Sequence, residues 1–131
     1  MADTFDAELA EHLGADEFGM RTYVIALLKA GPNRERDRDE AIALQRAHLA
    51  NIRRLSEEGK IALAGPFMDD GTLRGIFIFD VRTVEEAAEL TQSDPAIQAG
   101  QLEMELHPWY GSAALLQVND THARISKRPI G

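Results

Sequence analysis

The chain has 131 residues, no cysteine and a formal net charge of -8. That length suits one domain with a core of its own. The missing thiols exclude a disulfide framework, a thiolate metal site and a cysteine nucleophile, and the acidity argues against nucleic acid or an anionic membrane as a partner. The acidic opening from Met1 to Asp6 predicts no signal peptide, no apolar run approaches the ~20 residues that span a bilayer, and a cytoplasmic setting is expected.

Residues 1–20 are weakly patterned and are expected to form an N-terminal extension, with a short helix near residues 6–13 ended by Gly14. Residues 21–29 are rich in β-formers and are stopped by Gly31, Pro32 and Asn33, which predicts a first strand. Arg34 to Arg38 read as a solvated loop or a first helical turn. Over residues 39–58, Ala41, Leu44, His48, Ile52 and Leu55 recur at steps of three and four and share one helical stripe. Gly59 suits a left-handed C-cap.

Residues 60–64 predict a second strand, broken by Gly65 and Pro66. Asp69, Asp70 and Gly71 signal a turn, and residues 73–80 predict a third strand. Gly71 to Gly75 is not a phosphate loop, because no Lys-Ser/Thr and helix follow. Thr83 and Glu86 fit a capping box that opens a second helix. Asp94 and Pro95 then suit the N-cap and first position of a short helical turn closed by Gly100. Leu102, Met104 and Leu106 alternate with Glu103, Glu105 and His107, predicting a fourth strand that Pro108 to Gly111 should end. Residues 111–131 are expected to form a C-terminal extension, with a possible extra strand at 113–118 and a loose basic tail.

The order strand, helix, strand, strand, helix, strand predicts an α+β domain over residues 21–110. It is the ferredoxin-like βαββαβ arrangement: a four-stranded antiparallel sheet with two helices on one face. The first strand is apolar on both sides, with Tyr23, Ile25 and Leu27 opposite Val24, Ala26 and Leu28. Two helices cover only one face, so the other needs cover. A homodimer through that face is expected; the alternative is that residues 1–20 or 112–131 fold over it.

Arg46-Ala47-His48-Leu49-Ala50, then Glu58 through Pro66, resembles the first half of YCII-like proteins. Asp94-Pro95-Ala96-Ile97-Gln98-Ala99-Gly100, followed by a strand running into His107-Pro108-Trp109, resembles the second half. The resemblance implies a dimeric α+β barrel and a cleft where the helix histidine meets the aspartate of the Asp-Pro turn. One branch of the family resembles lyases or dehydrochlorinases acting on small hydroxylated aromatics. Family members often carry an arginine three residues before the histidine; here Gln45 stands there and Arg46 follows, so these two are the candidates for holding a substrate.

His48 sits mid-stripe facing the sheet, where an unpartnered ring would cost about 1–3 kcal/mol. Histidine serves readily as an acid or base near neutral pH. Read from residues alone, a core histidine satisfied by backbone or water is the better account; the resemblance favours a site. Asp94 is sufficiently explained as a helix cap, yet one oxygen can cap while the other holds the ring. His48 and Asp94 are therefore the expected catalytic dyad for proton abstraction without a covalent step. Gly65 and Pro66 turn the chain and can also let a ligand approach the backbone. Trp109 is a candidate cleft wall, although an aromatic at a strand end is more often core or interface.

His12, His107 and His122 are scattered, so no metal site is expected, and no cofactor is called for. The expected function is a cofactor-free lyase or isomerase on a small polar or aromatic metabolite. The alternative is a non-catalytic, small-ligand-binding or accessory dimeric domain.

Overall fold

Strand β1 (Met20–Ala30) lies at the centre of a four-stranded sheet because both of its faces are apolar. In the computed structural model, which describes residues 4–128, the sheet order is β2-β3-β1-β4. Its other strands are β2 (Ile61–Pro66), β3 (Leu73–Phe79) and β4 (Leu102–Ser112), and every neighbouring pair is antiparallel. A short helix α1 (Ala7–His12) precedes β1, and α2 (Arg38–Glu57) links β1 to β2. Helices α3 (Val84–Thr91) and α4 (Pro95–Gln98) link β3 to β4. Thr83 caps α3 as the sequence predicts, accepting from the Glu86 amide. The fold is thus the α+β, βαββαβ arrangement with both long helices over one face.

On that face Val24, Ala26 and Leu28 of β1 pack with Phe77 and Phe79 of β3, Ile61 of β2, Leu55 of α2 and Ala87 of α3. Leu102, Met104 and Leu106 of β4 pack against the same cluster, as their alternation predicts. Strand β4 continues through Pro108 to Ser112, further than expected. It is an edge strand, and a proline can sit there because one side of the strand needs no ladder partner.

The opposite face holds a second cluster of Tyr23, Ala62 and Ile78, against which Ile25, Leu63, Leu115 and Leu116 pack. Here the sequence reading of residues 113–118 as a strand is corrected. Ala113–Gln117 form a 3-10 helix, started by Ser112, whose hydroxyl accepts from the Ala114 amide, and Val118–Ile125 form helix α5. The Asn119 side-chain amide donates to the Ile61 carbonyl at 2.8 Å, so β2 is tied to α5. A short apolar run fits either a strand or a buried helical segment, and β4 was already an edge pair for β1. Part of the chain beyond residue 110 therefore covers one end of the second face instead of trailing from it.

The N-terminal segment sits differently. Helix α1 buries none of its residues, and the segment is attached at the sheet's end, where Arg21 donates to the Leu13 carbonyl and the Tyr110 hydroxyl meets Asp16.

Removal of residues 1–18 is expected to leave a cooperative urea transition with little loss of stability. Leu115→Ala and Leu116→Ala are each expected to cost about 1 kcal/mol, since both side chains are half-buried and full burial of a leucine contributes ~1.5–3 kcal/mol. Equal indifference of the transition midpoint to both kinds of change would show that the 3-10 segment does not belong to the core.

Candidate functional site

Helix α2 presents His48, Asn51 and Leu55 as its buried residues, at steps of three and four along one stripe. The His48 ring stacks on Phe77 of β3, with centroids 6.1 Å apart and planes inclined by 17°. Asp94 lies just before α4, in extended conformation, with Pro95 at the first helical position. One carboxylate oxygen accepts the Ala96 amide at 2.9 Å. The other meets His48 Nδ1 at 2.5 Å. A residue from each helical crossover, 46 positions apart, thus meets its partner between α2 and the turn into α4.

The chemistry of this pair follows from what each group can do. An ionised carboxylate only accepts, so opposite a neutral ring it takes the Nδ1 proton and leaves the lone pair on Nε2. In that arrangement the carboxylate holds the ring in one orientation and one tautomer. Asp94 is fully buried, at 0 % exposure, whereas 7 % of His48 remains accessible. With both oxygens engaged and no surface, Asp94 cannot itself touch a substrate. The geometry thus brings the two residues of the expected dyad into contact, with Asp94 wholly buried and His48 nearly so.

The other candidates are not all gathered here. Gln45 and Arg46 are exposed on α2. Gln45 lies one turn before His48, but Arg46, two residues away, projects about 160° from it around the helix and is corrected as a wall of this site. Trp109 is corrected as well. It pairs across the strands with Tyr23, and their rings lie 5.8 Å apart; cross-strand partners share a face, and Tyr23 belongs to the face away from the helices. Within one chain Trp109 and His48 are on opposite sides of the sheet. Gly65 and Pro66 are exposed at the end of β2 and line a cavity of about 240 Å³ with Leu63, Ala64, Phe67 and Ile76. Ala64 pairs with Phe77, the floor of the His48 ring, and Pro66 with Gly75, so Pro66 stands one alternation along on the same face as Phe77. A side chain at position 75 would meet the Gly65 carbonyl at 2.8 Å, so this crossing needs glycine.

The model of the YCII-related domain family matches residues 22–110. The chain belongs to the YCII-related family. An uncharacterised protein of Bacillus subtilis (strain 168), YjpA, is 28 % identical over 90 residues, spanning 69 % of this chain and 95 % of that protein. Among solved structures, 5-chloro-2-hydroxyhydroquinone dehydrochlorinase (TftG) from Burkholderia phenoliruptrix AC1100, in complex with 2,5-dihydroxybenzoquinone, is similar at a TM-score of 0.50 and 22 % identity. The match covers 68 % of this chain and 93 % of that one; it establishes likeness of fold. The YCII-related region holds both His48 and Asp94, and the 3-10 segment that covers the second face lies outside it, as does α5.

Two polar groups beside the pair escaped the sequence reading. Asn51 is buried, and its side-chain oxygen accepts from Arg54 at 2.7 Å and lies 3.2 Å from the Ser93 hydroxyl. That hydroxyl also donates to the Leu90 carbonyl at 2.6 Å. Asn51 stands three residues after His48 on the same stripe, and a second polar residue on a core-facing stripe was the signal available.

Asp94→Ala is expected to destabilise the fold by about 2–4 kcal/mol, since it removes a helix cap and leaves a mostly buried ring unpartnered. Asp94→Asn should cost less. In a double-mutant cycle with His48→Ala, read by urea denaturation, a coupling of about 1 kcal/mol or more is expected; strictly additive losses would contradict an energetically coupled pair.

Proposed function

We propose that this YCII-related protein is a lyase or isomerase acting on a small polar or aromatic molecule, with His48 as its base and Asp94 as the group that orients it. The observation that carries the reading is the 2.5 Å contact of His48 Nδ1 with a wholly buried carboxylate, which directs the basic lone pair to Nε2. In the forward step Nε2 takes a proton from a ring hydroxyl. The O–H pair forms a C=O bond, and the ring π pair it displaces takes the proton back from the imidazolium at a ring carbon; an isomerisation ends there. In a lyase step that carbon is the one bearing the leaving group. Nε2 then takes a second hydroxyl proton, whose pair forms a further C=O bond, and the displaced π pair closes a C=C bond to that carbon as the anion leaves with the C–X pair. The imidazolium then gives its proton to water. The step needs no cofactor. The similar fold of a dehydrochlorinase that binds a dihydroxybenzoquinone supports hydroxylated aromatics as the substrate class to try first. The proposed setting is the cytoplasm; among the described residues no helix is long and apolar enough to cross a membrane.

A second reading, a non-catalytic ligand-binding or accessory domain, is favoured by one observation. The His48 ring is nearly closed off, and two surface cavities, of about 360 and 240 Å³, are lined by other residues. The readings separate by experiment. With a chlorinated hydroxyhydroquinone as probe, the enzyme reading expects chloride release that falls by about 10²–10⁴-fold in His48→Ala. Calorimetric binding of 2,5-dihydroxybenzoquinone by both proteins, with no turnover by either, would favour the second reading.

We further propose a homodimer through the sheet face that the helices leave open. Ile25, Leu27, Leu63 and Ile76 are only half-buried there, with Leu115 and Leu116 covering one end. Sedimentation equilibrium at micromolar concentration is expected to return twice the chain mass; a clean monomer would mean that the 3-10 segment and α5 suffice as cover.

A further inference from the structure

Helix α4 has only four residues, far below the length at which a helix holds itself together, yet it carries the carboxylate that orients His48. Its other end is tied to the loop that leads into α2. The Ala99 carbonyl accepts Arg36 Nη2 at 2.6 Å and the Asn33 side-chain amide at 3.2 Å. Arg36 Nε donates to the Gln101 side-chain oxygen at 3.0 Å, and Arg34 donates to the Gln101 carbonyl at 2.6 Å. The backbone closes the same seam: the Asn33 amide donates to the Gly100 carbonyl and the Gly31 amide to the Gln101 carbonyl, both at 3.0 Å. A side chain at position 31 would fall 2.2 Å from the Gly100 carbonyl oxygen, so the two segments are in direct backbone contact.

Arg36 differs from the charged residues around it. Arg34, Glu35, Asp37 and Arg38 are exposed, while Arg36 is half-buried. Its guanidinium forks across the Ala99 carbonyl, the Gln101 side chain and its own loop's Asn33 carbonyl at 3.1 Å, a use of the planar donor set that lysine cannot reproduce. Its backbone leads directly into Asp37, whose side chain caps α2 by accepting the Glu40 amide at 2.8 Å. One residue therefore links the start of the helix bearing His48 to the end of the helix capped by Asp94.

We infer that Arg36 is a positioning residue for the His48 site: its guanidinium clamps α4 and so sets the Asp94 carboxylate against His48 Nδ1. The inference rests on the reading of that pair as an orienting contact, but its test needs no substrate. In ¹⁵N-labelled full-length protein, the carboxylate-bound Nδ1 proton of His48 should give a deshielded ring resonance and a single Nε2-basic tautomer. Arg36→Ala is expected to lose that resonance and mix the tautomers while the backbone spectrum stays folded. Arg36→Lys should restore it in part. Arg21→Ala, which removes the ion pair to Asp80 at 2.9 Å on the far side of the sheet, should leave it unchanged and so controls for general loosening. An intact His48 signature in folded Arg36→Ala would overturn the proposal alone. Absence of the signature from the unaltered protein would overturn the orienting pair and the proposal with it. Should Arg36→Ala fail to fold, Arg36→Lys decides: an unaltered signature there overturns the specific need for the fork, and a weakened one supports it.

Discussion

A carboxylate with no exposed surface is among the most demanding groups a small domain can carry, because a charge removed from water must be met by donors on every side that counts. Asp94 meets that demand with two partners of different origin. One oxygen is satisfied locally, by the first turn of the helix that follows it. The other can be satisfied only from α2, across the helical layer. The pairing of His48 with Asp94 is therefore a condition on the packing of the two crossovers as well as a feature of a site. Helix α2 must lie with His48 toward α4, and the turn at Ser93 and Asp94 must arrive at that depth. The Ser93 contact with Asn51 alongside runs between the same two elements and reinforces the same spacing, and Arg54, one turn along α2, holds the Asn51 side chain in place.

The second constraint is the sheet. A central strand apolar on both sides needs cover on both sides. Helices α2 and α3 meet this need above Val24, Ala26 and Leu28. Below Tyr23 and Ile78 it is met in part by Leu115 and Leu116, which the chain supplies after the YCII-related region ends. Acidic and basic groups at the β4 side of that face are paired, across strands and along β4 itself. Glu105 accepts from Lys29 at 2.8 Å and contacts His107 at 2.7 Å, and these two partners, the Lys29 bond foremost, pull its carboxyl down to about 2. The open face thus has an apolar middle, a capped end and a charged margin.

Much of this was legible in the sequence for identifiable reasons. The three-and-four stripe through His48 located the ring on the sheet side of α2, and Asp94 before Pro95 announced a capped turn; both rest on local periodicity and capping chemistry. The contact between them was expected from the family resemblance and from the layering of two helices on one face. The misplacement of Trp109 came from neglecting parity. Leu102, Met104 and Leu106 face the helices, so odd positions of the same strand, including 109, face away, and a shift of one residue reverses the face. The 3-10 segment was misread because apolar character in a short run does not discriminate helix from strand. The run from Arg34 to Arg38 read as solvated on charge alone. Nothing local distinguishes Arg36 from Arg34; only the close approach of Gly31 to Gly100, a long-range fact, gives the guanidinium its carbonyls.

The burial of Asp94 also narrows the chemistry that the proposed reading can use. With its second oxygen committed to a helix amide, Asp94 is an orienting group and not a second acid, so one ring nitrogen must serve as the only mobile proton site of the pair. A leaving group expelled without a protein acid beside it must depart as a stable anion, and the electron pair left by deprotonation must have somewhere to spread. A hydroxylated aromatic ring supplies that sink itself, by passing to a quinone-like form, whereas a saturated alcohol or a simple alkyl halide does not. Phe77, buried and stacked under the imidazole, keeps water from that side of the ring, which strengthens the electrostatic hold of the buried carboxylate on it. Under the proposed reading, one oriented base without a second catalytic acid therefore suits a planar, self-delocalising substrate better than a saturated one.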